Sequence, residues 1–219
     1  DNAHQRLLAH GERLGVVLTT DVSGLKLPNL SSVATDDVAA AECAVEHLIA
    51  LGHRSIGVIS GDRSCSGPSR SRMAGCMRAL ARHGLTLPEA RCVTARYALD
   101  DGYAAALRLL EPLAPTAIFA MSDVMAFGAI RALRDRGFRV PEDISVVGFD
   151  GLEMSGYYVP KLTTIRQSVQ SIADRGVQLL LGQIEKHLPA QHEITDFTLC
   201  ERESVASPRA ESSIHKQKE

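Results

Sequence analysis

From Thr116 to Asp150 the chain reads TAIFAMSDVMAFGAIRALRDRGFRVPEDISVVGFD. Thr116–Met121 is a short, mostly apolar run of the kind that forms a buried strand. Val124–Arg136 spaces its apolar residues as an amphipathic helix does, and Gly137 closes it. Ser145–Phe149 (SVVGF) then reads as a second strand. Strand, helix, strand is the repeating unit of a parallel α/β sheet.

The same alternation extends both ways. Upstream, Leu14–Leu18 (LGVVL) is strand-like, and a Gly/Pro/Asn/Ser loop is expected through Gly24 to Ser32. A helix begins near Asp37, with Ala41, Val45, Leu48 and Ile49 at helical spacing and Gly52 as its stop. Ser55–Ser60 (SIGVIS) is continuous rather than alternating, as burial on both faces demands. Ser69–His83 is a helix with Met73, Cys76, Met77 and Leu80 on one face, Cys92–Ala95 a short strand, and Asp101–Leu110 a helix halted before Pro112. Downstream, a long helix over about Val169–His187 carries Ile172, Val177, Leu180 and Ile184, and Thr195–Leu199 is a last strand. Ser207–Glu219 is a polar tail expected to fray.

Composition narrows the function. At 219 residues, 24 Lys+Arg against 26 Asp+Glu leave a formal net charge of −2, so no bulk basic field marks a nucleic-acid binder. No apolar run approaches the roughly 20 residues of a membrane-spanning helix, and the polar start, Asp1 to Gln5, is no signal peptide. Cysteines at 43, 65, 76, 92 and 200 form no CxxC pair, which fits spectator thiols in a reducing cytoplasm and signals neither zinc nor a disulfide framework. There is no G-x-S-x-G, G-x-x-x-x-G-K, G-x-G-x-x-G or H-E-x-x-H string. His47 and His53 flank a helix end with no ligating neighbours, so a dipole partner or core histidine is expected for each.

In an open parallel sheet, ligands bind outside the carboxyl ends of the strands, where helix N-termini add free N–H groups. Following each strand collects Ser60, Gly61, Asp62, Ser69, Arg70 and Arg72; then Thr94 and Tyr97; then Met121, Ser122 and Asp123; then Gly148, Phe149, Asp150 and Gly151. A carboxylate, a guanidinium fork and a flat aromatic face suit a small polar ligand. Arg72 and Asp150 are the favoured pair. Asp123, opening a helix, reads as a cap or first-turn carboxylate.

Five strings then resemble, in family order, the effector-binding region of LacI/GalR-type bacterial transcription regulators. They are Asp36-Asp37 with Val45-Glu46-His47-Leu48 and Leu51-Gly52-His53-Arg54-Ser55-Ile56; Arg70-Ser71-Arg72-Met73-Ala74-Gly75; Ser122-Asp123-Val124-Met125-Ala126-Phe127-Gly128; Val140 to Asp150; and Leu162-Thr163-Thr164-Ile165-Arg166-Gln167. The resemblance implies an α/β, two-lobed fold like type I periplasmic binding proteins, with parallel sheets flanked by helices. Residues 1–36 and 167–192 would form a partial N-terminal lobe, residues 37–163 and 195–206 the C-terminal lobe, and 207–219 the tail, with crossings near Asp36 and Thr164.

By motif position, Arg72, Ser122, Asp150 and Gln167 fall where the family contacts its effector, and Tyr97 at its frequent aromatic stacking position. Ser122 departs from the Asn often found there. The implied ligand is a sugar, sugar phosphate or nucleobase, bound without catalysis, cofactor or metal. The implied setting is a cytoplasmic homodimer that reaches operator DNA through an N-terminal helix-turn-helix domain, which does not precede Asp1 in this sequence. Without the early strands of the N-terminal lobe, weak effector affinity and self-association are the expectation. A transport solute-binding protein of the same fold and, at greater distance, an α/β enzyme are the competing classes.

Overall fold

The computed structural model describes residues 16–18, 30–62, 64 and 67–209. In chain order the elements are β1 (Val16–Leu18), β2 (Leu30–Thr35), α1 (Asp37–Ala50), β3 (Ile56–Ser60), α2 (Gly67–Arg82), β4 (Cys92–Thr94), α3 (Leu99–Leu109), β5 (Ala117–Ala120), α4 (Asp123–Asp135), β6 (Ser145–Asp150), β7 (Thr163–Gln167), α5 (Val169–Lys186), β8 (His192–Thr195) and β9 (Phe197–Cys200). They divide into two compact units: a smaller one with the chain up to Asp37 and Gln167–Phe197, and a larger one with Val38–Arg166 and the chain from Thr198.

In the larger unit six strands lie in the order β4-β3-β5-β6-β7-β9. The pairs β3–β4, β3–β5, β5–β6 and β6–β7 are parallel, with Val58 opposite Phe119, Phe119 opposite Val147 and Val147 opposite Thr163. Helices cover these strands, so β3 and β5 are buried along their whole length. Phe119, Phe149, Ile59, Ile118 and Leu133 fill the core with essentially no exposure. Because β3 is flanked by β4 on one side and β5 on the other, the chain reverses its direction of travel across the sheet there. The carboxyl ends of β3 and β5 therefore frame a topological switch point, the usual crevice for a ligand in such sheets.

Two glycines set the α3–α4 packing. A Cβ on Gly128 would lie 2.1 Å from the Leu99 carbonyl oxygen, and one on Gly102 would lie 2.4 Å from that of Met125. At the opposite edge from the switch point, the segment after β9 straps the starts of the strands. Ser204 O accepts from Val146 N at 2.8 Å, and Ala206 O accepts from Ser145 Oγ at 3.0 Å and from His53 Nε2 at 2.8 Å. His53 is a core histidine, with Nδ1 2.9 Å from Thr116 Oγ1, and burial pushes its pKa down.

In the smaller unit β1, β2 and β8 form a parallel sheet in that order, with α5 packed on β1 and β2. The loop expected through Ser32 ends earlier, because Leu30–Ser32 already belong to β2. Its serines are buried yet satisfied: Ser31 Oγ accepts from Gln191 N at 3.0 Å, and Ser32 Oγ sits 2.9 Å from His192 Nδ1. The single last strand expected over Thr195–Leu199 is two, β8 and β9, broken at Asp196 and belonging to different sheets. On α5 only Ile172 of the four expected apolar positions is buried; Leu180 is half-buried, and Val177 and Ile184 are exposed. Met77 on α2 is also exposed, at 43%, because the α2 face that packs is set by Met73, Cys76 and Leu80. The tail is tied further than expected, Arg209 pairing with Asp143 at 2.9 Å. Leu14 and Gly15 of the first expected strand lie outside the described residues.

A candidate ligand site at the switch point

Arg72 lies in the second turn of α2, the helix that leaves β3. Its Nη1 donates to the Met121 carbonyl, just past β5, at 2.6 Å, and lies 3.6 Å from Asp150 Oδ1 at the end of β6. The guanidinium carbon stands 3.7 Å over the centroid of the Phe149 ring. One side chain thus spans the crevice between β3 and β5 and touches the end of β6. A cation only 6% exposed persists where a carbonyl, a carboxylate and a ring face together replace its water. The Asp150 side chain keeps 27% of its surface accessible, so the pair is buried on the protein side and open on the other.

Asp150 has φ 118, an unusual conformation for a residue with a side chain, and Gly151 follows at φ 72. Gly151 has no alternative: a Cβ there would lie 2.4 Å from Arg166 Cα. The corner is held from beneath by Asp123, the first residue of α4, which is fully buried. Its Oδ2 accepts from Leu152 N at 2.8 Å and Ser155 Oγ at 2.6 Å, and its Oδ1 accepts from the Thr164 hydroxyl. Burial raises the Asp123 pKa, while these bonds and one from the Gly151 N–H pull it back. Of the two roles expected for Asp123, cap or first-turn carboxylate, it takes the second; the cap is its neighbour Ser122, whose Oγ accepts from Met125 N at 3.2 Å. Having accepted there, the Ser122 hydroxyl still holds a proton to donate.

Tyr97, after β4, is 42% exposed and has its Oη 2.7 Å from Ser69 Oγ. Gly61 makes that placement possible, since a Cβ there would lie 2.3 Å from Ser69 Oγ and 2.5 Å from Tyr97 Oη. With the hydroxyl engaged, what Tyr97 offers is its ring. The larger unit therefore brings Arg72, Asp150 and the Ser122 backbone corner to one crevice, with Tyr97 fixed over the end of β3. Gln167 belongs to the smaller unit, where its Oε1 accepts from Thr35 Oγ1 at 2.9 Å. Arg70 is exposed. Phe149 and Gly61 lie on the rim that follows from the strand order, but only packing gives them their roles, a ring under the Arg72 guanidinium and room for Tyr97 beside Ser69. Among the described residues no cluster of His, Cys, Asp and Glu could hold a metal ion.

Residues 45–205 match the model of the periplasmic binding protein-like domain family. The HTH-type transcriptional repressor ExuR of Bacillus subtilis is 35% identical over 192 residues, covering 87% of this chain and 56% of that relative, so the chain spans little more than half of its length. A LacI transcriptional regulator from Bacillus cereus subsp. cytotoxis superposes with TM-score 0.88 at 27% identity, covering 95% of this chain and 73% of the other. A LacI family regulator from Enterococcus faecium, solved with bound ribose, gives 0.81 at 27% identity, covering 95% and 76%. With the resemblance spread over most of the chain in both sequence and fold, this chain belongs to the periplasmic binding protein-like domain family, in the form found in LacI/GalR-type transcription regulators.

Proposed function

We propose that this chain senses a small polar metabolite for a transcription regulator, and that the metabolite is a sugar or a close relative. Arg72 supports this most directly, as a buried cation reaching across a topological switch point to a half-open carboxylate. Such a pair offers fixed donors and acceptors to vicinal hydroxyls, while the Tyr97 ring covers an apolar sugar face. Ribose in the Enterococcus faecium relative agrees with that chemistry. Ligand roles for Ser122 and Gln167 rest on their motif positions.

In the whole protein, ligand binding would favour one of two states and bias a paired DNA-binding domain through differential affinity. A cytoplasmic homodimer on a two-fold operator fits that arrangement. Exposed Leu152, Met154, Tyr157 and Val159 in the β6–β7 connection supply an apolar surface of the kind a dimer covers. The test is a thermal-shift screen of sugars, sugar phosphates and nucleobases, starting with ribose, followed by calorimetry. The expected result is a ligand whose affinity falls at least tenfold in both Arg72→Met and Asp150→Asn. A ligand indifferent to both substitutions, or one that is turned over, overturns the proposal.

A further inference from the structure

We propose that Asp123 is a positioning residue for the ligand site: its buried carboxyl holds the Asp150–Leu152 corner so that the Asp150 carboxylate faces Arg72. The proposal rests on the effector role given to Asp150 above. Three strand ends meet at Asp123. It opens α4 after β5, takes the Leu152 N–H and Ser155 hydroxyl from the β6–β7 connection, and takes the Thr164 hydroxyl from β7.

The corner needs such a hold. Asp150 sits at φ 118, which costs energy in any residue bearing a Cβ and relaxes unless its surroundings over-determine it. Gly151 is wedged against Arg166, and a Cβ on Gly148 would lie 2.3 Å from Asp123 Oδ1, so the carboxyl rests directly against the β6 backbone as well. Two of the donors, the Leu152 N–H and the Ser155 hydroxyl, come from just after Asp150, so losing their acceptor frees that segment first. The influence of Asp123 on the guanidinium passes through the backbone of residues 150–152, which its carboxyl holds.

The role is geometric rather than electrostatic, which separates two substitutions. In Asp123→Asn the amide oxygen still accepts from Leu152 N and Ser155 Oγ, while its NH2 donates to Thr164 Oγ1. The Thr164 hydroxyl then turns to the Ile165 carbonyl, already 3.3 Å away. In Asp123→Ala the Thr164 hydroxyl can still turn to Ile165, but the Leu152 N–H and the Ser155 hydroxyl lose their acceptor.

The Arg72 guanidinium 15N–1H signals read the result without any ligand, with Asp150→Asn marking the signal of a disrupted pair. Asp123→Asn is expected to keep the wild-type signal. Asp123→Ala is expected to move it toward that of Asp150→Asn, while Ile118 and Ile130 methyl signals stay in place. An Asp123→Ala protein with folded methyl signals and a wild-type Arg72 signal overturns the proposal, as does an Asp123→Asn protein that behaves like the alanine variant. If Asp123→Ala fails to fold, Ser155→Ala decides: a partial move supports the proposal and no move overturns it. Calorimetry with ribose runs in parallel. Ribose binding that weakens at least tenfold in whichever variant moves the Arg72 signal supports the proposal. Absence of ribose binding in the wild type counts against ribose as effector and leaves the Arg72 signal to decide.

Discussion

Replacing Arg72 by Met tests the site through stability as well as binding. Met keeps most of the buried aliphatic volume and removes the charge, so little of the effect is a cavity. The charge-assisted bond to the Met121 carbonyl is worth about 1.5–3 kcal/mol. Stacking over Phe149 adds about 1–2 kcal/mol for a desolvated cation. Breaking a fully buried ion pair costs about 3–5 kcal/mol, but Asp150 is part-exposed and 3.6 Å away, so its share is about 1 kcal/mol. These contributions overlap, and the apolar replacement gains about 1–2 kcal/mol from its own burial. The expected net destabilisation is about 2–3 kcal/mol. At about 2–4 °C per kcal/mol for a chain of this size, the melting temperature should fall by roughly 5–10 °C. The chain has no Trp, so urea unfolding is followed by far-UV circular dichroism. A double-mutant cycle with Asp150→Asn should show a coupling of about 1 kcal/mol. Arg72→Met within about 0.5 kcal/mol of wild type, with no coupling to Asp150, refutes the geometry on which the site is built.

Burial holds the His53 pKa below its ordinary value, so the unfolded chain binds a proton that the folded one refuses. This contribution is complete above about pH 6.5 and is lost as pH falls from there through the folded pKa, with a slope of at most about 1.4 kcal/mol per pH unit; His53→Gln should flatten the melting-temperature profile between pH 7.5 and 5.5. Gly128→Ala gains about 1 kcal/mol of helix propensity but forces α4 from the Leu99 carbonyl, an overpacking cost of about 3 kcal/mol, so a net loss of about 2 kcal/mol is expected in urea unfolding. Gly61→Ala should push Tyr97 off Ser69, moving its signal in the 19F spectrum of 3-fluorotyrosine-labelled protein and weakening effector binding by about tenfold, about 1.4 kcal/mol. An unmoved Tyr97 signal contradicts the role given to Gly61.

How much was legible in the sequence varied with how local the cause was. The strand–helix alternation from Ile56 to Asp150 could be seen because continuous apolar runs and glycine stops are local signals. β2 escaped because LSSVAT looks like a polar loop until β8 and Gln191 supply partners for its serines from some 160 residues away. Val177 and Ile184 were misplaced because periodicity finds an apolar stripe and says nothing about what covers it. The approach of Arg72 to Asp150 followed from topology alone, since parallel strands bring their carboxyl ends to one edge. For Asp123 the first-turn place followed, but its hold on the corner did not. A carboxylate at a helix start is far more often a cap, and its burial depends on Thr164 and Ser155, which no spacing rule connects to it.

That failure is informative in its own right. A corner with a buried guanidinium, a buried carboxyl and a residue at φ 118 is a poor solution if stability were the only demand. An apolar residue of equal volume at 72, with glycine at 150, would fill the same space without desolvating a charge or straining the backbone. Each of the three features makes sense only with the others: Asp123 fixes the corner, the corner aims Asp150, and Asp150 with Met121 and Phe149 keeps Arg72 charged and still. A set of costs so concentrated at the switch point of a parallel sheet, where incoming molecules bind, is the pattern expected of a site shaped for recognition. It also predicts where a change of ligand specificity disturbs the fold least, at Tyr97, whose ring lies outside that interlocked corner.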